Sequence, residues 1–317
     1  MGRYLLKRII ALGITLLIIV SLAFVTIRFM PGSFIDDPLM TEDVKKAIED
    51  KYHLNDPLYV QYGYFLKDFI KLDFGVSVAI QKKVPVNEIL KKKIPVSMQL
   101  NIFSLLLTIP FGILFGIIAA IKKNKIPDHL ISIMVILFIS VPSFIFASLL
   151  QYFLAFKLKL FPILLSTDPG LTLNKLYSII LPVLALSFWG IAVITRYLRA
   201  ELCDAINSEY MLLARAKGLS NFQAVVRHAI RNSFIPLANI IIPMFTSILG
   251  GSLVIEKIFG VPGMGGLLIE AINTNDHSVT VGILFWYSLI TLLTVLIVDL
   301  SYGVIDPRIR IGGSKNE

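Results

Sequence analysis

Apolar residues along this chain are gathered into six long blocks that contain no Asp, Glu, Lys, Arg or His. The blocks are Ile9–Ile27, Val96–Ile121, Leu130–Phe156, Leu176–Thr195, Asn232–Ile255 and Val279–Val298. Each has about 19 to 27 residues, and a helix needs roughly 20 residues to cross the hydrocarbon core of a bilayer. A soluble amphipathic helix would place polar residues on one face at a period of 3.6, which these blocks lack. The pattern predicts an all-α polytopic membrane protein with six transmembrane helices.

The charged residues then fix the orientation of the spans. Only 16% of the 317 residues are charged, against about a quarter in soluble domains. With the amino terminus inside, the inner segments hold 15 of the 30 Lys and Arg residues and six acidic residues, a difference equal to the net charge of +9. The inner basic residues are Arg3, Lys7, Arg8, Lys122, Lys123, Lys125, Arg196, Arg199, Arg215, Lys217, Arg227, Arg231, Arg308, Arg310 and Lys315. The positive-inside rule therefore predicts that both termini are cytoplasmic and that the protein is multi-pass in the cell membrane.

The predicted spans divide the chain into three parts. Residues 1–30 are the cytoplasmic amino terminus and the first span, residues 31–95 are an extracytoplasmic segment, and residues 96–317 are a core of five spans. The stretch 41–75 has helical segments broken by turn residues, which predicts a small cap of short helices. Within the second span, Gly112 and Gly116 are four residues apart, and this spacing predicts close packing against another helix.

No catalytic, cofactor or metal site emerges from the sequence. The four histidines, His53, His129, His228 and His277, lie in four separate segments, so their spacing does not predict zinc ligands. The chain contains no G-x-x-x-x-G-K-[ST] motif, and no Ser–His–Asp set or carboxylate pair can be argued from spacing. This polypeptide therefore has no P-loop of its own. Asp299, inside the last predicted span, is interpreted as a structural acid that pairs with a nearby arginine or lies at the interface.

The glycine-rich stretch after the fifth block suggests a nucleotide site but does not match one. In I-E-K-I-F-G-V-P-G-M-G-G-L-L, residues 255–268, the dinucleotide fingerprint would need glycine where Leu268 stands. Pro262, Gly263 and Gly265 are therefore predicted to shape a tight re-entrant or surface turn on the outer side.

The inner loop between the fourth and fifth spans, Arg196–Arg231, is longer than a membrane hairpin requires. Ser208 is predicted to cap a short helix whose first turn carries Glu209, and Gly218 suits the position just after its end. Ser220 and Gln223 form the capping-box pattern S-x-x-Q, which predicts the start of a second helix.

The second helix would carry one apolar stripe beside basic residues. The stripe positions are Phe222, Val225, Val226, Ala229 and Ile230. Three interpretations of this basic helix–turn–helix remain open: an amphipathic hairpin lying on anionic lipid, a DNA-binding motif, and a docking element for a cytosolic partner. Attachment to membrane spans at both ends disfavours DNA, so no nucleic-acid partner is expected.

At these residues the chain resembles the inner-membrane permease subunits of binding-protein-dependent ABC importers, specifically the dipeptide/oligopeptide branch. That branch reads A-[RK]-A-K-G-L followed by R-H-A-L-R-N, and here the matching residues are Ala214–Leu219 and Arg227–Asn232. Against the general family loop E-A-A-x3-G-x9-I-x-L-P, only Ala214 and Gly218 agree. Further matching segments are 29–34 (F-M-P-G-S-F), 56–77, 94–100 (I-P-V-S-M-Q-L), 255–265 and 298–310.

The resemblance implies a type I ABC importer permease fold and a transport function without an ATPase site in this chain. The implied partners are a second homologous permease subunit, two cytosolic ABC ATPase subunits, an extracytoplasmic peptide-binding protein and membrane lipid. Residues 96–317 would form the permease core, and the loop 196–231 would contain the coupling helix. The implied ATPase-coupling residues are Glu209, Tyr210, Ala214, Arg215, Ala216, Lys217, Gly218, Leu219, Ser220, Phe222, Val225 and Val226.

Two functional alternatives stay open beside the import of dipeptides or oligopeptides. Permeases of the same branch carry other solutes, such as nickel chelates or opines. A secondary transporter driven by an ion gradient would usually carry ionisable residues near the span centres or inverted repeats, which the sequence does not display.

Overall fold

A computed structural model describes residues 2–29, 46, 53, 55–168, 170, 172–245 and 253–305 of the chain. Almost all of them are helical, and within these ranges the β structure is an isolated bridge between Val76 and Pro85. The helices are α1 Gly2–Phe29, α2 Leu58–Ile70, α3 Val86–Ile121, α4 Ile126–Ser140, α5 Ser143–Leu150 with a π-helical continuation Gln151–Lys157, α6 Leu173–Ile206, α7 Glu209–Ala216, α8 Asn221–Ala224 with a π-helical continuation Val225–Ile230, α9 Arg231–Met244, α10 Leu253–Ile258, α11 Met264–Asn273 and α12 His277–Ile305.

Four of these helices are long and apolar enough to cross a membrane by length and composition. They are Leu5–Phe29 within α1, Val86–Ile121, Leu173–Ile206 and His277–Leu300 within α12. These helices cover the first, second, fourth and sixth predicted spans, and each extends beyond the apolar block that predicted it. The all-α class expected from the sequence is confirmed.

The third predicted span, Leu130–Phe156, is not one straight helix. Helices Ile126–Ser140 and Ser143–Lys157 meet at a bend of 105°. Val141 between them is extended, with φ −97° and ψ 122°, because a residue followed by proline avoids the helical region and Pro142 has no N–H to continue the ladder. The proline therefore turns one apolar block into a broken span or a re-entrant pair.

The fifth predicted span, Asn232–Ile255, is covered by the structure only in part. Helix α9 runs to Met244, residues 246–252 lie outside the described ranges, and α10 follows from Leu253. The inner loop predicted over 196–231 is also shorter than expected, because α6 continues to Ile206.

The chain separates into two compact units. The central unit comprises Ser97–Val261 together with the described residues from Leu293 onward, and the N-terminal unit comprises the described residues of Gly2–Val96 with Pro262–Leu292. The predicted parts 1–30, 31–95 and 96–317 follow the expected membrane topology and stay a prediction, whereas the two units are defined by contacts, which group Pro262–Leu292 with the N-terminal residues.

Glycines bring α3 and α6 into close contact inside the central unit. A Cβ on Gly112 would lie 2.7 Å from Ile194 Cβ, and one on Gly116 would lie 2.9 Å from Leu198 Cβ. The predicted packing face of the second span is thus confirmed, with α6 as its partner. Buried hydroxyls join the same helices, since the Ser104 and Ser187 side chains lie 3.2 Å apart, as expected for polar groups that link helices in a membrane.

In the N-terminal unit, the described part of the extracytoplasmic segment packs against spans. Helix α2 confirms that the stretch 41–75 contains a helix, whereas residues 30–45, 47–52 and 54 lie outside the described ranges. Phe69 and Phe74 of this segment contact Phe285 of α12, with ring centroids 5.2 and 5.1 Å apart. Aromatic packing of this kind favours a cap with a fixed position over aromatic side chains that lie among the lipid headgroups without protein contacts.

Candidate functional site: the inner helix pair

The candidate site is the inner segment, Glu209–Val226, which contains two short helices between α6 and α9. Its first helix, α7, is anchored by two side chains on one face, Met211 (0% exposed) and Ala214 (5% exposed). They belong to a buried cluster that includes Leu198, Leu202 and Leu237 from the flanking long helices. Full burial of a side chain of the size of Met211 contributes about 2 kcal/mol, so α7 is anchored through this cluster.

The opposite face of α7 is apolar but uncovered. Leu212 and Leu213 are 61% and 57% exposed, and Arg215 and Lys217 beside them are also exposed. A short helix that buries one apolar face and displays a second apolar face with cations is suited to contact another surface.

The turn after α7 is built by Gly218, as the sequence predicts. Gly218 has φ 87°, its N–H donates to the Arg215 carbonyl at 2.9 Å, and the Leu219 N–H donates to the Ala214 carbonyl at 3.3 Å. These two bonds are those of a Schellman motif, in which the left-handed residue after the helix is usually glycine. The predicted position of Gly218 is confirmed.

The start of the second helix is also confirmed. The Gln223 N–H donates to the Ser220 hydroxyl at 3.3 Å, and the Ser220 N–H donates to the Gln223 side-chain oxygen at 3.2 Å. This reciprocal pair is a capping box.

The predicted cap of α7 is wrong. Ser208 occupies the cap position of this helix, but its hydroxyl donates to the Ala205 carbonyl at 2.6 Å instead of accepting a hydrogen bond from the helix.

The predicted single stripe of the second helix is divided between two environments. Val225 (8% exposed) and Ala229 (0%) are buried, whereas Phe222 (74%) and Val226 (44%) are exposed. The π-helical turn Val225–Ile230 widens the helix by about one residue per turn, so positions spaced for an α-helix no longer share one face. The same turn joins α8 to α9 without a break, and the predicted hairpin is continuous with the fifth span.

An ion pair that the sequence analysis missed fixes α4 to α6. Arg199 donates from Nε to Asp128 Oδ1 at 2.6 Å and from Nη2 to Oδ2 at 2.7 Å, and the Asn124 N–H also donates to Oδ2 at 2.8 Å. Asp128 has only 2% of its side chain exposed. A bidentate pair of this geometry is strong and directional, and Asp128 in the first turn of a helix beside inner cations is the signal that could have predicted it.

Two further acids, Glu256 and Asp276, are buried, and the sequence analysis did not predict this. Glu256 (0% exposed) accepts from the Ser97 hydroxyl at 2.7 Å. Asp276 (0% exposed) accepts on Oδ2 from the Ser77 hydroxyl at 2.6 Å. The same oxygen accepts from three successive backbone N–H groups, those of Val78, Ala79 and Ile80, at 3.1, 3.1 and 3.3 Å. Asp276 thereby clamps the loop after α2 to the start of α12.

The remaining predicted residues lie apart from the inner segment in the chain. Gly260, not Gly263 or Gly265, supplies the left-handed turn at this point, with φ 64°. Gly263 precedes α11 in extended geometry, with φ −94° and ψ −164°, and Gly265 is buried inside that helix. The predicted turn over Pro262, Gly263 and Gly265 is therefore shifted toward the amino terminus. Asp299 lies half-buried in α12, and its structural role stays a prediction.

Residues 112–311 match the family described as binding-protein-dependent transport system inner membrane component. This chain belongs to that family. It is an all-α, multi-pass component of the cell membrane, and family members work in transport together with a substrate-binding protein.

Relatives of this inner membrane component extend over nearly the whole chain. The dipeptide transport system permease protein DppB of Bacillus subtilis (strain 168) is 39% identical over 312 residues, which is 98% of this chain and 99% of that protein. The oligopeptide transport system permease protein OppB of Escherichia coli (strain K12) is 35% identical over 313 residues, which is 98% of this chain and 100% of that protein.

The fold also matches a solved structure. A chain of the MetNI methionine ABC transporter in an inward-facing conformation has a TM-score of 0.54 and 16% sequence identity, covering 69% of this chain and 96% of that chain. The likeness establishes a shared fold, that of a type I ABC importer permease.

Proposed function

We propose that this chain is a transmembrane permease subunit that imports dipeptides or short oligopeptides delivered by an extracytoplasmic binding protein. ATP is hydrolysed by two cytosolic ATPase subunits, and a second, homologous permease subunit completes the pathway. The support for peptide as the substrate is the names and near-complete coverage of the DppB and OppB relatives. Since the sequence carries no P-loop motif, we place the ATP and Mg²⁺ sites in the partner subunits.

The single observation that carries the coupling role is the construction of the inner segment. Its base is buried through Met211 and Ala214, its turn is fixed at Gly218, and its exposed tip presents the Phe222 side chain. A short element that is anchored in a buried cluster with the flanking helices transmits displacement that a flexible loop would absorb. We therefore assign it as the coupling element that docks into an ATPase groove, in the helix-in-groove manner.

Reconstitution in proteoliposomes tests the proposal. We expect labelled dipeptide to accumulate only when both permease subunits, the ATPases, the binding protein and ATP are present. Accumulation driven by a proton gradient with this chain alone would instead identify an ion-coupled secondary transporter. If the complex hydrolyses ATP in response to a nickel chelate or an opine but not to a dipeptide, this result would support the ABC mechanism and exclude a peptide as the substrate.

A substitution at the exposed tip tests the docking surface. We expect Phe222→Asp to reduce co-purification of the ATPase subunits about tenfold or more, because a charge replaces an aromatic anchor in an apolar contact. The side chain is 74% exposed, so the isolated permease should fold normally.

Tyr59→Asp is the matched control for this experiment, since Tyr59 is 78% exposed on α2, outside the inner segment. ATPase recovery is measured after affinity purification of the permease from membranes. Equal recovery for Phe222→Asp and Tyr59→Asp would contradict docking and favour an inner segment that lies on lipid.

A further inference from the structure

The N-terminal unit contains a cavity of about 260 Å³ that is lined by residues outside the inner segment. It is lined by the last turn of α1, by α2 and the loop that follows it, and by the first turn of α12. Its apolar wall includes Phe24, Phe65 and Phe69, whose rings form a continuous row, with Phe24 and Phe65 centroids 5.0 Å apart and Phe65 and Phe69 centroids 6.3 Å apart.

The polar lining of this cavity includes groups of both charge signs, with Arg28 as the cation and Asp68 and Asp73 as the acids. Arg28 of α1 lies with its guanidinium 5.4 Å from the centre of the Phe24 ring and is half-buried. The described residues form no ion pair with it. Asp68 and Asp73, on α2 and the loop after it, are exposed at the rim. A half-buried cation without an ion-pair partner among the described residues favours an anionic ligand.

The cavity lies where two candidate spans have the ends that the charge pattern predicts to be outside. The candidate span Leu5–Phe29 ends one residue after Arg28, and the candidate span of α12 begins at His277, which also lines the cavity. Leu22 and Val25 on α1, just before this end of the span, are 61% and 46% exposed. An apolar chain could run along this face of α1 while its polar end enters the cavity.

We propose that the cavity binds the headgroup of a zwitterionic phospholipid with a primary ammonium, namely phosphatidylethanolamine, from the outer leaflet. The phosphate pairs with Arg28, the ammonium lies against Asp68 and Asp73, and the glycerol and first acyl carbons contact Phe24 and Ile27. Bound in this way, the lipid fastens the outer end of α1 to the extracytoplasmic helix α2.

A free dipeptide carries the same pair of charges, a carboxylate and an ammonium. The position at the ends of two spans, beside an exposed apolar helix face, favours a ligand that is anchored in the bilayer. The experiment below includes both ligands, so that the two sources of this chemistry are distinguished.

Native mass spectrometry tests the proposal. The full-length chain is mixed in detergent with defined lipids, and the lipids that stay bound after release from the detergent are measured. We expect phosphatidylethanolamine to be retained about tenfold more than phosphatidylcholine, which has no ammonium N–H, or phosphatidylglycerol, which has no cation. Alanyl-phenylalanine at millimolar concentration should not displace it.

Two variants test the cation and the acids of the cavity separately. Arg28→Gln should reduce retention of all three phospholipids, because each loses the partner of its phosphate. Asp68→Asn should weaken the preference for phosphatidylethanolamine over phosphatidylcholine while phosphate binding remains. Lys67→Gln, which removes an exposed cation of α2 outside the cavity, is the matched control and should bind as the unmodified chain does.

Equal retention of the three lipids by the unmodified chain would overturn the proposal. It would also be overturned if Arg28→Gln and Lys67→Gln bound lipid alike, or if alanyl-phenylalanine displaced phosphatidylethanolamine. Monodisperse elution of each variant in size-exclusion chromatography verifies that any loss of lipid does not come from unfolding.

Discussion

Replacing Asp276 by alanine is expected to lower the free energy of unfolding by about 3 kcal/mol or more, the largest stability effect of any single substitution discussed for this chain. The carboxylate is fully buried and accepts four hydrogen bonds on Oδ2, from the Ser77 hydroxyl and the N–H groups of Val78, Ala79 and Ile80. Alanine leaves all four donors without this acceptor, and each buried donor that stays unsatisfied costs about 1–3 kcal/mol.

The effect should be graded by what replaces the carboxylate. Asp276→Asn keeps one acceptor oxygen but loses the charge, so its stability should lie between those of the unmodified chain and Asp276→Ala. Glu270→Ala removes an exposed acid of α11 in the same unit and should change stability by less than about 0.5 kcal/mol. Denaturant titration in detergent measures all three. Equal midpoints for Asp276→Ala and Glu270→Ala would refute the clamp.

Replacing Gly218 by valine should uncouple transport from ATP hydrolysis in the reconstituted complex while the chain still inserts into the membrane. Gly218 has φ 87°, a conformation that costs an L-residue about 1–2 kcal/mol and is least accessible to β-branched side chains. A Cβ at this position would meet no atom within 4 Å, so the effect comes from backbone strain and not from a clash. We expect the peptide imported per ATP hydrolysed to fall about tenfold.

Asparagine provides the matched control at this position, because it tolerates the left-handed conformation better than other non-glycine residues. Gly218→Asn should retain most of the coupling, whereas Gly218→Ala should lie between Asn and Val. Coupling ratios measured in the same proteoliposomes give the comparison. Identical ratios for Gly218→Val and Gly218→Asn would remove the left-handed turn from the mechanism.

The features of the inner segment that could be predicted from sequence are those with short-range causes. The Schellman turn at Gly218 and the capping box of Ser220 and Gln223 depend on residues within five positions of one another. Ser208 shows the limit of this logic, because a cap position allows several hydroxyl partners and the Ala205 carbonyl is the one used here.

The features that could not be predicted depend on partners far away in the chain. Asp276 meets Ser77 across 199 positions, and Arg199 meets Asp128 across 71. Composition identifies an acid near a span end but not the donors that surround it. The exposure of Phe222 likewise depends on how the π-helical turn meets α9, which no α-helical periodicity describes.

The sequence by itself determined the membrane class, the Gly218 turn and the capping box of the inner segment, because hydrophobic length and capping act locally, and its charge asymmetry predicts the orientation of the spans. Only the tertiary structure decided which acids are buried and which apolar side chains remain uncovered. Those outcomes depend on which helices pack together. Packing buries one face of a segment and leaves the other face for a partner. When both faces are apolar, the hydrophobic pattern of the sequence cannot show which face will be buried.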